Sequence, residues 1–258
     1  MLFHYLRRMI DVVILGGGNV AIQLAKAFLN TKKIQLIQQY SRSKPATLFL
    51  DNNIATTTNL MDLVDADLYI IAISDDAISV FSKSLILKNK LVVHTSGSVA
   101  LQDLLCDANK GVFYPLQTIS KHKNLNFKKI PICIEANNEK DYKLLETVAK
   151  SISKKVYSIN SEQRKSLHVA AVFVNNFVNH LYKIGNDICT TNNVDFEILK
   201  PLIKETAKKI TYLSPNDAQT GPAKRNDKKT IANHLDLLTV KQQKIYTLLT
   251  NSIMDFND

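Results

Sequence analysis

The chain has 258 residues, of which 45% are hydrophobic and 22% charged, and it carries a formal net charge of +10. This length accommodates one large domain or two medium ones, and no apolar run approaches the roughly 18 residues that a membrane span needs. The basic residues are scattered rather than gathered in one stripe, so the positive charge does not indicate nucleic-acid binding.

Short apolar runs alternate with helical patterns along the first 160 residues. Residues 1–8 precede a second methionine, Met9, and we interpret them as an extension without a structural role. The patterns predict strands at 11–16, 34–41, 67–74, 90–97, 130–136 and 154–159, and helices at 20–30, 60–66, 76–85 and 139–152. Continuous Val, Ile and Leu strands with helices between them are typical of an α/β domain whose parallel sheet is covered on both faces.

The pattern changes at about Ser161, after which strand signals become rare. Helices are expected at 161–192, 196–213 and 229–256. We therefore predict two domains with a boundary near 158–161: residues 1–160 form the α/β domain, and residues 161–258 form an all-helical domain.

The segment GGGNVA, residues 16–21, has the form G-x-G-x-x-A between a predicted strand and a predicted helix. In that position Gly16 permits the tight turn, Gly18 lets a pyrophosphate approach the backbone, and Ala21 lets the helix pack closely on the sheet. Asn19 can cap the helix, and Val20 completes the motif. The motif predicts a Rossmann-type dinucleotide site, and the alternative is a glycine-rich turn without a ligand.

The end of the second strand indicates which dinucleotide binds. Sites for NAD usually place an acidic residue there, on the ribose hydroxyls. This chain has Ser41, Arg42 and Ser43 instead. A guanidinium can bind a 2′-phosphate with two hydrogen bonds, and hydroxyls can add more, so we predict NADP(H) as the cofactor. The alternative is that Arg42 belongs to a solvated turn.

Polar residues also follow the next two predicted strands, at the sheet edge where ligands of such folds bind. Ser74 follows the first of these strands, and Thr95 and Ser96 follow the second. We expect them to contact the cofactor or substrate. For Asp75 and Asp76 the alternative is helix capping.

The helix predicted from 161 has a broad apolar face and a narrow polar stripe. At about 100° per residue, the members of the stripe that fall within about 40° of one another are His168, Asn175, Asn179 and Asn186. Such a stripe predicts a partly buried polar seam. His168 could exchange a proton during hydride transfer, and Asn175 or Asn176 could orient the substrate. The alternative is a set of structural contacts between helices.

The segment TGPAKRND, residues 220–227, separates two predicted helices. Gly221 and Pro222 are expected to form a corner, and Asp227 to cap the helix that begins near Lys228. For Arg225 two roles stay open: binding a substrate carboxylate, or pairing with Asp227.

Cysteine and histidine usage indicates a reducing compartment and no metal site. Cys106, Cys133 and Cys189 are widely spaced, and the six histidines show no paired metal-binding spacing. We therefore expect a cytoplasmic protein without structural zinc.

Together, GGGNVA, YSRS, IAISDDAI, HTSGS, YPLQT, LHVAAVFVNNFVNHL and QTGPAKRND resemble the Rossmann-like proteins with a DUF2520 domain, from about residue 10 to 256. That family is similar to the pyrroline-5-carboxylate reductases, the 6-phosphogluconate and 3-hydroxyacid dehydrogenases, and the F420-dependent NADP reductases. The resemblance implies an NADP-binding Rossmann domain, a helical C-terminal domain like that of 6-phosphogluconate dehydrogenase, and a homodimer through the helices. The Lys–Asn pair that serves the hydroxyacid dehydrogenases is missing, because Val169 follows Lys165 by four residues.

These patterns favour an NADP(H)-dependent oxidoreductase that acts on a small carbonyl, imine or hydroxy compound in the cleft between the domains. The alternative is a non-catalytic NADP(H)-binding sensor. A third reading, with F420 as second cofactor, needs a large groove for the deazaflavin.

Overall fold

The computed structural model describes residues 9–43, 45–120 and 123–255. Residues 1–8, and with them the expected extension, lie outside this part. Contacts divide the chain into two units that meet between Val172 and Phe173. The boundary expected near 158–161 stays a prediction, and by these contacts the helix that begins at Ser161 belongs to the first unit.

The first unit is built on an eight-stranded sheet in the order β3-β2-β1-β4-β5-β6-β7-β8. The strands are β1 (Ile10–Leu15), β2 (Ile34–Tyr40), β3 (Ala55–Thr57), β4 (Leu68–Ile71), β5 (Leu91–His94), β6 (Asn109–Pro115), β7 (Pro131–Ala136) and β8 (Lys155–Ser158). Its helices are α1 (Asn19–Leu29), α2 (Thr47–Asp51), α3 (Asp75–Lys83), α4 (Glu139–Ile152) and α5 (Ser161–Ala171). The first six strands have the 3-2-1-4-5-6 order of a doubly wound fold.

Both faces of the sheet are covered, as predicted, and β1 shows it most clearly. Val12 and Ile14 point into one hydrophobic cluster, with Leu24 and Phe28 of α1. Val13 points into a separate cluster. All five side chains are at most 1% exposed, since successive side chains of a strand alternate between two faces that are both packed.

The expected strands at 130–136 and 154–159 are confirmed as β7 and β8, and the helix between them as α4. The strand β6 was not predicted, because its sequence begins with Asn-Lys-Gly and ends in a proline. The pair β6–β7 is antiparallel, unlike the other pairs described. Among the described residues of the connection, 116–120 and 123–130, the helical structure is a 3-10 turn, Phe127–Lys129, and there is no crossover helix. The helix expected at 60–66 is a 3-10 turn, Leu60–Asp62.

The second unit is helical, as predicted, with different helix bounds. Its helices are α6 (Val178–Thr191), α7 (Lys200–Lys209), α8 (Pro215–Ala218), α9 (Lys228–Asp236) and α10 (Val240–Asp255). The helix expected at 161–192 changes to π-helix at Val172–Phe177, and the helix expected at 229–256 is two helices, α9 and α10. Of the helices in the described residues, none combines the length and apolar character needed to cross a membrane.

Candidate functional site

The turn after β1 requires glycine at Gly16. Its φ of 141° lies in the region that residues with a side chain rarely adopt, and a Cβ there would lie 2.2 Å from the Ala72 carbonyl oxygen. Gly18 is different: its φ is −78°, and a Cβ there would meet no atom within 4 Å. The first glycine therefore shapes the turn, and the second leaves open space above the start of α1.

The beginning of α1 has free backbone N–H groups. The predicted capping by Asn19 is wrong, because Asn19 is the first residue of the helix and Gly18 holds the N-cap position. Glycine has no side chain to bond these groups, and the first turn contains no acidic residue. The N-terminus of α1 is therefore suited to bind an anion.

A buried glutamine that the sequence analysis missed supports this turn. Gln39, fully buried at the end of β2, donates its side-chain amide to the carbonyls of Gly16 at 2.8 Å and Tyr40 at 3.0 Å. The alternation of side chains along β2 could have predicted that Gln39 lies on a packed face of the sheet. It could not have predicted that Gln39 contacts this loop.

A cavity of about 960 Å³ opens at the ends of β1, β2 and β4. The predicted cofactor residues that line it are Gly16, Gly18, Asn19, Val20, Ser41, Arg42, Ser43 and Ser74. It also has an apolar wall that was not predicted, of Ile73, Ala77, Val80, Phe81 and Ile119. The spacing of Ala77 and Phe81, four residues apart on α3, could have indicated their common face.

Three predicted cofactor residues lie outside the cavity lining. Ala21 is fully buried in the core between α1 and the sheet. The Thr95 hydroxyl donates to the Ile71 carbonyl at 3.3 Å, and the Ser96 hydroxyl accepts from the N–H groups of Ser98 and Val99 at 3.1 Å. Both hydroxyls are buried and paired within the protein, so they hold the loop after β5 in place.

The two aspartates after β4 lie in the first turn of α3, and Ser74 takes the N-cap position without a capping hydrogen bond from its side chain. Asp75 accepts a hydrogen bond from the Ser98 hydroxyl at 2.6 Å. This bond joins the loop after β5 to the start of α3. Neither aspartate holds the N-cap position, so the alternative of helix capping is wrong.

His94 is fully buried at the end of β5. Its Nδ1 accepts the Ser96 N–H at 3.1 Å, so the neutral ring carries its proton on Nε2. Burial, and after it the charge of Arg164, lowers the pKa of His94 to about 4. His94 is consequently neutral at ordinary pH and holds the loop after β5.

This histidine should make stability fall in mild acid. The pKa of His94 in the folded protein lies below its ordinary value of 6.5, so the unfolded chain binds the proton more readily. Stability is therefore lost as the pH falls from about 6.5 towards 4. We expect a loss of about 2 kcal/mol between pH 7.5 and pH 5, measured by urea denaturation. The variant His94→Asn should lose this contribution, and the exposed-site control His180→Asn should keep it. Equal slopes in all three proteins would contradict the assignment.

A buried ion pair fixes α5 against the sheet. Arg164 is 1% exposed and pairs with Glu135 of β7. Its guanidinium also donates to the Val99 carbonyl and to the Ser161 hydroxyl. Glu135 accepts further hydrogen bonds from the N–H of Ser161 at 3.0 Å and from its hydroxyl. One cation thus ties together β7, the loop after β5 and the first turn of α5.

One turn further along α5, His168 meets a tyrosine that the prediction did not include among the site residues. The Tyr114 hydroxyl lies 3.2 Å from His168 Nδ1, and the two rings meet edge to face at 67°. A Cβ on Gly97 would lie 2.6 Å from the same nitrogen. Burial raises the pKa of Tyr114 to about 12. Tyr114 belongs to the motif YPLQT, but 54 residues separate it from His168.

The predicted asparagines belong to the second unit and are exposed. Asn175 donates to the Asn176 side chain at 3.4 Å. Both asparagines lie within the π-helical segment 172–177, so the count of 100° per residue that related them to His168 fails along this stretch. Asn179 and Asn186 are also exposed, so packing within this chain does not bury these asparagines, and the partly buried seam stays a prediction.

The loop 220–227 turns at Gly221, whose φ is 110°. Asp227 caps α9 as predicted, through hydrogen bonds from Thr230, and these bonds lower the pKa of Asp227. Arg225 is exposed and forms no ion pair with Asp227 in the described part of the chain. Its role in substrate binding stays a prediction. Within residues 9–43, 45–120 and 123–255, no three metal-ligating side chains form a cluster.

Comparisons with known proteins place the chain in a family. The domain of unknown function DUF2520 matches residues 130–253. A solved structure described as "putative NADP oxidoreductase BF3122 from Bacteroides fragilis" is 39% identical, covers 96% of this chain and 98% of its own, and superposes with a TM-score of 0.86. No curated protein matches.

Two more distant structures share the fold. A 1-pyrroline-5-carboxylate reductase from Streptococcus pyogenes is 15% identical, with a TM-score of 0.61 over 96% of this chain and 98% of its own. An imine reductase from Myxococcus stipitatus in complex with NADP+ is 13% identical, with a TM-score of 0.64 over 95% and 92%. The match to the Bacteroides fragilis protein over nearly all of both chains, with the domain match, shows that this chain belongs to the Rossmann-like proteins with a DUF2520 domain.

Proposed function

We propose that this protein is an NADP(H)-dependent oxidoreductase that acts on a small carbonyl, imine or hydroxy compound. The observation that carries the proposal is the cavity at the strand ends, which is lined both by the free N-terminus of α1 and by Arg42. Bound NADP(H) would supply or accept a hydride there. The names of the relatives, an NADP oxidoreductase, a pyrroline carboxylate reductase and an imine reductase, support the same reaction class.

The residues that line the cavity suit the phosphate groups of NADP(H). The N–H groups at the start of α1 would hold the pyrophosphate over Gly18, where a Cβ would meet open space. Arg42 and Ser43 would hold the 2′-phosphate, because no acidic residue of the cavity lining would repel it. Phe81, which contacts Tyr40 with ring centroids 5.6 Å apart, offers an apolar surface for the adenine.

His168 is the residue that we propose for proton exchange with the substrate. It is half-buried and lies on α5, which the buried Arg164 fixes to the sheet. Imidazole is suited to this task because it can both take up and release a proton near neutral pH. Asn175 or Asn176 would orient the substrate and Arg225 would bind a carboxylate. The substrate site expected between the domains stays a prediction.

The second unit is proposed to pair with a second copy of this chain. Among its described residues only Cys189, Ala223 and Thr250 are buried. Large apolar side chains that are more than 60% exposed include Phe173, Val174, Leu202, Leu237, Val240 and Leu248. Such a surface is too apolar for an isolated helical domain and fits an obligate dimer. Sedimentation velocity should give twice the chain mass of 29.0 kDa, and a monomer at micromolar concentration would refute the pairing.

Removing the Arg42 guanidinium should separate the two nicotinamide cofactors. In Arg42→Ala we expect NADPH affinity to fall about 10- to 100-fold, because one charge-assisted contact to a phosphate is lost. NADH, which lacks that phosphate, should bind as it does to the wild type. Calorimetric titration measures both constants. Lys33→Ala, which removes an exposed cation next to the opposite end of β2, is the matched control. Equal losses for NADPH and NADH would contradict the role of Arg42.

The reaction itself is tested by following NADPH consumption at 340 nm with ketoacids, aldehydes and cyclic imines. We expect turnover with one of these classes, and loss of turnover in His168→Gln with NADPH binding intact. Binding of NADPH without turnover of any class would instead identify a non-catalytic NADP(H)-binding protein.

A further inference from the structure

The contact between Tyr114 and His168 distinguishes the two ring nitrogens of the histidine. Tyr114 lies in the buried part of β6, and His168 lies on α5, both within the first unit. The Tyr114 hydroxyl lies 3.2 Å from Nδ1, and the ring centroids are 6.2 Å apart in an edge-to-face arrangement. Nδ1 therefore already has a hydrogen-bond partner.

The backbone of Gly97 closes the same side of the imidazole. A Cβ built on Gly97 would lie 2.6 Å from His168 Nδ1, 2.7 Å from the Tyr114 Cζ and 2.9 Å from its hydroxyl oxygen. The loop after β5 thus packs against both partners at once, and no substrate atom fits between this loop and Nδ1. By contrast, Nε2 has no hydrogen-bond partner among the described residues. It is not buried either, since the buried polar atoms that lack a partner do not include it.

Arg164 fixes the helix and the loop that surround the Tyr114–His168 pair. Arg164, four residues before His168 on α5, donates to the carbonyl of Val99, two residues after Gly97, and pairs with Glu135. The helix that carries His168 and the loop that contains Gly97 are therefore bound to one buried cation. This arrangement keeps Nδ1 facing Tyr114.

The Tyr114 hydroxyl can satisfy Nδ1 in either protonation state of the histidine. Burial raises the pKa of Tyr114 to about 12, so the hydroxyl keeps its proton at ordinary pH. It can donate that proton to the lone pair of Nδ1, or its oxygen can accept the hydrogen of a protonated Nδ1. A phenylalanine at this position would do neither.

We propose that Tyr114 is a positioning residue which holds His168 through Nδ1 and leaves Nε2 as the nitrogen that exchanges a proton with the substrate. This inference rests on the proposed oxidoreductase function. In the reductive direction the N–H bond at Nε2 would break and an O–H or N–H bond would form on the reduced substrate, for which bound NADPH would supply the hydride. The remaining proton stays on Nδ1 and is donated to the Tyr114 oxygen. The substrate is therefore of the class whose oxygen or nitrogen gains a proton on reduction.

The contact is tested without a substrate, by ¹⁵N NMR of the full-length protein labelled at histidine. His168→Gln identifies the His168 signals by their loss. In Tyr114→Phe we expect the ratio of the two neutral His168 tautomers to shift about 2- to 10-fold, which corresponds to the loss of one hydrogen bond. Tyr157→Phe, which changes an exposed tyrosine of β8, is the control and should leave the His168 signals unchanged. Unchanged His168 signals in Tyr114→Phe would overturn the proposal, whether or not the protein is an active oxidoreductase.

The role in proton exchange is tested with the substrate class found in the NADPH assay. Tyr114→Phe should lower kcat about 10- to 100-fold, raise the solvent isotope effect on kcat, and leave KM and NADPH affinity unchanged. A wild-type kcat in Tyr114→Phe, or a loss carried entirely by KM, would overturn the proposal. A shifted tautomer ratio in a protein that turns over no substrate would refute the proposed function and the proton exchange, but would leave the Tyr114–His168 contact established.

Discussion

Replacing Gly16 with alanine is expected to destabilise the protein by about 3 kcal/mol and to abolish detectable NADPH binding. Its φ of 141° forces a side chain into a strained conformation, and the new Cβ would lie 2.2 Å from the Ala72 carbonyl oxygen. That atom is backbone of the segment after β4, so it cannot rotate away. The turn must move instead, and with it the N-terminus of α1 and the hydrogen bond from Gly16 to Tyr40.

Gly18→Ala is the matched control for this prediction. Gly18 has an ordinary φ of −78° and open space at its Cβ position, so stability should change by less than about 0.5 kcal/mol. The added methyl group would enter the cavity, and NADPH binding should weaken at least about tenfold. Thermal denaturation and calorimetric titration measure the two effects. A Gly16→Ala protein with wild-type stability, or a Gly18→Ala protein with wild-type affinity, would contradict this assignment of the two glycines.

Neutralising Glu135 is expected to cost about 3–5 kcal/mol of unfolding free energy, because it leaves a buried cation without a counter-charge. Arg164 is 1% exposed, and Glu135 is the acidic group with which it pairs. In Glu135→Gln the side chain keeps its size, so the loss reports on charge and hydrogen bonding rather than on packing. Urea denaturation at pH 7.5 measures it.

Removing the cation instead of the carboxylate should cost less unfolding free energy. In Arg164→Met, Glu135 keeps its hydrogen bonds from Ser161, and its side chain is 16% exposed, so water can reach the unpaired charge. The double variant Glu135→Gln and Arg164→Met should be more stable than Glu135→Gln alone, since it removes the isolated cation. Strictly additive losses in the cycle would show that the pair does not interact energetically.

Most of the residues that local sequence patterns predicted as cofactor-binding lie together in the structure. The glycines at 16 and 18 and the absence of an acid near Arg42 lie within one strand–turn–helix–strand unit, where neighbours in sequence are neighbours in space. The geometry of such a unit is set by backbone conformation and by the fixed course of parallel strands. Eight of the eleven predicted cofactor residues accordingly line one cavity.

Two of the predicted polar residues lie outside the cavity lining. Thr95 and Ser96 follow a strand at the correct edge, but their hydroxyls form hydrogen bonds with nearby backbone groups. Hydroxyl groups bond equally well to ligands and to backbone, so sequence position alone cannot decide between them. Along the helix from 161, the π-helical turn shifted the phase that a regular helix would have kept.

The sequence by itself therefore determined the α/β class, the helical C-terminal part, the position of the glycine turn and the capping of α9 by Asp227, because these depend on residues a few positions apart. Tertiary structure alone decided which side chains meet across long separations. It placed Tyr114 against His168, 54 residues later, and Arg164 against Glu135, 29 residues earlier. Such contacts depend on how β6, β7 and α5 pack, and neither the strand β6 nor its antiparallel pairing with β7 was predicted from the local sequence.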